Sequence, residues 1–99
     1  MNTLSLQLQD ALTSNDFAPR VQPNVVTFFR EIESNGGHTT EFEFIPGMIK
    51  GVVLVNITKY EPEHGEAIFN KTHRLHEDDL ANESLEALNM MVRTIIQFA

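Results

Sequence analysis

The chain has 99 residues, no cysteine and a formal net charge of −7, from 14 acidic and 7 basic residues. This length suits one domain, so we expect residues 1–99 to fold as a single unit. The absence of cysteine excludes disulfide bonds and thiolate metal sites. The acid excess disfavours direct contact with nucleic acid or with an anionic membrane surface, because clustered Lys and Arg are what bind phosphate groups.

Targeting and membrane segments are not expected. The first residues lack the basic start and the continuous apolar run of a secretory signal. No segment reaches the length of about 20 apolar residues that a membrane-spanning helix needs. We therefore expect a cytoplasmic protein.

The N-terminal part fits two patterns. Residues 3–13 begin with an apolar–polar alternation typical of a strand, but Leu4, Leu8 and Leu12 share one helical face. We favour the helix. Residues 1–22 are then an N-terminal helix followed by a connector.

The remaining residues, 23–99, predict an α-β-β-β-α core. Residues 23–34 are expected to be helical, because their large apolar residues fall on one face and Asn-Gly-Gly follows them. Three strand-like runs come next, over residues 38–45, 48–60 and 67–75. The sequence thus predicts an α+β fold of order α-α-β-β-β-α, in which helices pack on a three-stranded antiparallel β-meander.

The last predicted element, a helix over residues 78–98, has the clearest periodicity in the chain. Its apolar stripe covers roughly half of the circumference, so it must be buried on more than one partner. The stripe consists of Leu80, Ala81, Leu85, Leu88, Met91, Val92, Ile95, Ile96 and Phe98.

The strand register follows if Pro46-Gly47 is a two-residue hairpin loop. Phe44 then pairs with Ile49, and Thr40 pairs with Val53. The outer face of the sheet, away from the helices, would carry apolar residues among its charges. These are Ile45, Met48, Val52 and Leu54. Either the N-terminal segment covers them, or they form a homodimer or partner interface.

The element order from residue 23 onward resembles that of the double-stranded-RNA-binding domain. Such domains carry a basic cluster at the start of the last helix, which clamps phosphate groups. At this position the chain instead has Glu77, Asp78 and Asp79, which would repel phosphate. We therefore expect no direct binding of RNA or DNA.

The junction before the last helix also bears on metal binding. His73 and His76, followed by carboxylates, are residue types that bind zinc, manganese or iron. A metal-dependent hydrolase using His73, His76 and Asp79 is therefore the enzymatic alternative. We favour a solvated junction in which Asp78 or Asp79 caps the helix. No metal, cofactor or catalytic residue is predicted.

By elimination, the sequence favours a non-catalytic protein-binding domain whose partner has a basic surface. In charge and size it is similar to inhibitors that occupy nucleic-acid-binding proteins, such as phage counter-defence, immunity and antitoxin proteins. The alternative is a homo-oligomeric structural or chaperone-like protein that uses its exposed sheet face. The expected contact residues are acids of the second loop and of the last helix entry: Glu61, Glu63, Glu66, Glu77, Asp78 and Asp79.

Overall fold

The computed structural model describes residues 3–63, 65–80 and 82–97. One helix precedes a five-stranded antiparallel sheet, and two helices follow it, so the order is α-β-β-β-β-β-α-α. The strands lie side by side in chain order. The elements are α1 (Leu6–Ser14), β1 (Ala18–Val21), β2 (Val26–Glu33), β3 (Thr39–Pro46), β4 (Val52–Tyr60), β5 (Ala67–His76), α2 (Glu77–Leu80) and α3 (Leu85–Gln97). The α+β class is as predicted, but the three-stranded sheet and the order α-α-β-β-β-α are wrong.

The two strands that were not predicted, β1 and β2, are formed by residues predicted as a connector and a helix. β1 occupies part of the expected connector, and β2 replaces the helix expected over residues 23–34. β2 opens with Val26-Thr27-Phe28-Phe29, a run of β-branched and aromatic side chains that pack well on a pleated sheet. Phe28 is buried on the helix-covered face, whereas Phe29 lies under the Arg20 guanidinium on the other face. The two phenylalanines therefore alternate as in a strand instead of sharing a helical face.

The pairing of β3 with β4 also differs from the expected hairpin. Phe44 pairs with Val55, six residues beyond the predicted Ile49, and the loop spans residues 47–51. The backbone approaches itself closely here: a Cβ on Gly47 would lie 2.7 Å from the Val52 carbonyl oxygen. Pro46 is the last residue of β3 and Gly47 begins a five-residue loop, which sets the longer register.

The core lies between one face of the sheet and the pair α1 and α3. The Phe17 ring meets the Phe44 ring edge-on, with 5.5 Å between centroids. The N-terminal helix is thus confirmed, but it covers this face and not the outer one. The buried apolar residues are Leu4, Leu8, Ala11, Leu12, Phe17, Phe28, Phe42, Phe44, Val53, Val55, Ile57, Leu88 and Val92.

The helix expected over residues 78–98 is two helices. α2 ends at Leu80, and α3 begins after Ser84, whose Oγ accepts a hydrogen bond from the Ala87 N–H at 3.1 Å. Of the predicted apolar stripe, Leu88 and Val92 are buried, while Leu85 is 41% exposed. Ala81 and Phe98 lie outside the described residues. Among the described helices, none has the length and apolarity to cross a membrane.

Candidate functional site

The most open part of the described sheet is the free edge of β5. This strand has ten residues and pairs with β4 on one side only, and all but one of its residues are exposed. The opposite edge, β1, has four residues and contains Pro19, which has no N–H to donate. A long edge strand presents a row of unpaired backbone donors and acceptors, to which another strand can pair. β5 therefore offers such an edge and β1 does not.

A groove runs along β5 on the helix-covered side of the sheet. It has a volume of about 690 Å³ and lies between β4, β5 and the C-terminal half of α3. The groove exists because the two long helices cover the middle of the sheet and leave β5 exposed. Its lining residues are Ile57, Lys59, Phe69, Lys71, His73, Arg74, Leu75, Thr94 and Ile95.

The groove is basic, although the whole chain is acidic. Lys59 and Lys71, two of the seven basic residues, line it together with His73, and no carboxylate does. Arg74 borders the groove from the outer face of the sheet, where it pairs with Leu54. Within the described part of the chain, none of these three cations lies within ion-pair distance of a carboxylate. The groove thus combines apolar surface with positive charge that no carboxylate of the described chain neutralises.

The six acids expected to contact a partner form two groups at opposite ends of β5. Three lie in the loop between β4 and β5, and three lie in α2. Ten strand residues at about 3.3 Å each separate the two groups by about 30 Å. Most are exposed, Glu77 is half-buried, and Glu61 lies 3.6 Å from the His38 imidazole. The loop group is Glu61, Glu63 and Glu66, and the α2 group is Glu77, Asp78 and Asp79.

Of the residues expected at an apolar interface, three share the outer face. Ile45 pairs directly with Leu54, and both are partly exposed, as is Val52 on the same face. Met48 lies in the loop over residues 47–51 and is fully exposed. No helix covers this face in the described part of the chain, so its use as an interface stays a prediction.

Charged side chains pair with one another elsewhere on the outer face. Arg20 lies 3.1 Å from a Glu43 carboxylate oxygen, to which the Thr27 hydroxyl donates at 2.7 Å. Arg20 also stacks 4.0 Å from the centre of the Phe29 ring. Arg20 is also 3.6 Å from Glu41, so this cluster differs from the groove, where no carboxylate of the described residues lies within ion-pair distance of the cations.

The two histidines of the metal alternative lie on opposite faces of β5. His73 pairs with Val55, a core residue, whereas His76 pairs with Val52 on the outer face. A three-residue spacing within a strand separates side chains in this way. Among the described residues, no group of three or more His, Asp or Glu is placed to hold a metal ion.

The strand β5 is predicted from the sequence, but its position at the edge of the sheet is not. The run Asn70-Lys71-Thr72-His73-Arg74 is polar on both faces, which is typical of a strand at an edge. That signal could have indicated the edge. The groove could not be anticipated, because Lys59 and Ile95 reach it only through the register of β4 and the placement of α3.

Comparisons with protein-family models, with curated proteins and with solved structures found no match to this chain.

Proposed function

We propose that this chain is a non-catalytic protein-binding domain whose partner adds a strand to the free edge of β5. The observation that carries the proposal is the length of that edge: ten residues, exposed, with pairing on the β4 side alone. Strand addition uses backbone hydrogen bonds for affinity and neighbouring side chains for specificity. The groove beside β5 supplies such side chains.

A competing interpretation is that the charges of β5 only prevent aggregation. Natural proteins often place Lys and Arg on edge strands for that purpose. Protection against aggregation needs no adjoining groove, and charges of either sign would provide it. Here the charges that face the groove are all positive in a chain of net charge −7. This asymmetry supports a binding role over protection alone.

An inhibitory role towards a basic protein is the second candidate. It is favoured by the acid groups that flank β5, most of whose members are exposed. Such carboxylates would draw in a partner with Lys or Arg beside its docking strand, since electrostatic attraction speeds association. In this proposal β5 forms the contact, and the acids increase the rate at which the partner finds it.

The test is a proline scan of four consecutive β5 residues, Asn70, Lys71, Thr72 and His73, against a partner that has been captured with the parent chain and then purified. Successive N–H groups of a strand point to opposite sides, so two of these positions face β4 and two face the free edge. Proline removes the N–H. We expect the two edge-facing variants to keep their melting temperature approximately and to lose partner binding. A partner that binds all folded variants equally would show that β5 is not the docking edge.

A further inference from the structure

We infer that the strand which pairs with β5 carries acidic side chains opposite Lys71 and His73 and apolar side chains opposite Phe69 and Leu75. This inference rests on the proposed strand addition and names the kind of partner that it admits. Every second residue of an added strand points to the helix-covered side of the sheet. On β5 the residues that point to this side, each paired with a helix-facing residue of β4, are Phe69, Lys71, His73 and Leu75.

The groove gives these positions a fixed order. Phe69 is 47% exposed and Leu75 is partly buried, so both ends of the row offer apolar contact. Lys71 and His73 occupy the middle, and Lys59 of β4, which pairs with Phe69, lines the same groove. Directly opposed side chains on neighbouring strands have Cβ atoms about 5 Å apart, which is close enough for ion pairs. The row therefore requires an apolar, acidic, acidic, apolar order in the partner.

A second copy of β5 does not supply this order of apolar and acidic side chains. Antiparallel pairing of two complete β5 strands would set the basic middle of one copy against the basic middle of the other. It would also set Glu66 of each copy beside the α2 acids of the other, because these flank β5 at its two ends. Like charges placed directly opposite each other destabilise a strand pair. Charge complementarity thus favours a different chain as the partner.

The experiment uses two synthetic nine-residue peptides and the full chain. Both peptides have Thr at outer-face positions; the first has the order Val, Glu, Glu, Val at helix-side positions, and the second has Lys in place of Glu. This order is the same in both directions, so it fits parallel and antiparallel docking. Affinity is measured by fluorescence anisotropy, and amide hydrogen exchange reports where the peptide lies. We expect the Glu peptide to bind about tenfold more tightly than the Lys peptide, as a few close ion pairs provide.

Charge-reversing substitutions in the chain test the same preference for acidic peptides. Lys71→Glu, alone and with Lys59→Glu, is expected to reverse the preference so that the Lys peptide binds more tightly. The single variant changes only an exposed strand residue, so it keeps the test valid if the double variant unfolds. Lys50→Glu makes the same charge change at an exposed residue of the loop over residues 47–51. It is expected to leave the preference at about tenfold for the Glu peptide.

The outcomes separate this inference from the proposed function. Equal protection of β5 amides by both peptides would contradict the acidic preference and leave strand addition intact. If neither peptide protects β5, and the purified partner does not protect it either, both are wrong. If the chain without peptide forms a dimer in which the β5 amides are protected, a second copy occupies this edge. That result would overturn the inference.

Discussion

Asp16 adopts a left-handed backbone conformation that residues other than glycine rarely take. Its φ is +66°, at the end of α1. The Asp16 N–H donates to the Thr13 carbonyl oxygen at 3.1 Å, and the Phe17 N–H donates to that of Leu12 at 3.0 Å. These two bonds define a Schellman motif, in which glycine is the usual residue at this position. The motif turns the chain so that Phe17 enters the core.

We therefore predict that Asp16→Gly raises the free energy of unfolding by about 1 kcal/mol, because glycine adopts this conformation without the cost to a Cβ. Chemical denaturation measures the change. Asp16→Ala is the matched control: it removes the charge and keeps the Cβ. An equal increase in the free energy of unfolding in both variants would show that the effect comes from removing the carboxylate at the helix C-terminus, and not from the backbone.

Asn15 connects α1 to α3 through a buried side chain. Its Nδ2 donates to the Ala11 carbonyl oxygen at 2.8 Å and to Asn89 Oδ1 at 3.0 Å, and its Oδ1 accepts from Arg93 Nε at 3.2 Å. We predict that Asn15→Ala lowers the free energy of unfolding by about 1–3 kcal/mol, because it leaves polar groups of both helices unpaired. Asn24→Ala, in an exposed loop, is the control for denaturation. A loss no larger than that of the control would show that these bonds contribute little.

The elements that were predicted correctly are those whose local pattern agrees with their tertiary surroundings. α1 and the last three strands have the expected type because their helical face or their β-branched and aromatic runs meet a core that fits. β2 was mistaken for a helix because Val25, Phe28, Phe29 and Ile32 happen to have helical spacing. In the sheet, pairing with β1 and β3 decides the structure instead. Sequence spacing alone does not show which neighbours are present.

The register error left the two faces of the sheet correctly separated. Pairing shifted by six residues, an even number, so Ile45 still shares its face with Leu54 and Phe44 still faces the core. What could not be predicted is the position of β5 at an edge. That position depends on the two strands that were missed on the far side of the sheet and on where α3 lies.

The break between α2 and α3 is expected to depend on one hydroxyl. Ser84 Oγ accepts from the Ala87 N–H at the start of α3. We predict that Ser84→Ala lowers the free energy of unfolding by about 1 kcal/mol, as is typical for the loss of an N-cap. Ser14→Ala, at the exposed last residue of α1, is the comparison in thermal and chemical denaturation. Equal effects of the two substitutions would contradict a capping role for Ser84.

The acid groups at the two ends of β5 contribute six of the 14 acidic residues of the chain. We predict that the triple variant Glu77→Gln, Asp78→Asn and Asp79→Asn slows association with a basic partner and flattens its salt dependence. Attraction between exposed charges acts mainly on the association rate and is screened over about 8 Å at physiological ionic strength. Stopped-flow measurements across a salt series provide the rates.

The homo-oligomeric alternative predicts a different result. If the outer face is the interface, Leu54→Asp abolishes association and the acid triple variant does not. Static light scattering of the parent and Leu54→Asp chains at high concentration also distinguishes the two. The strand-addition proposal expects both to be monomers, because it gives the outer face no part in self-association. A dimer that Leu54→Asp dissociates would support the alternative.

If partners bind by adding a strand to β5, backbone N–H groups of this strand gain protection from exchange in the complex. Residue-resolved amide hydrogen exchange, with and without a saturating purified partner, measures this protection. We predict new protection at alternate residues of β5, those whose N–H groups point away from β4, while β1 and the outer-face residues Ile45 and Leu54 exchange as before. Protection confined to the outer face or to the acid groups, with β5 amides unchanged, would contradict strand addition to β5.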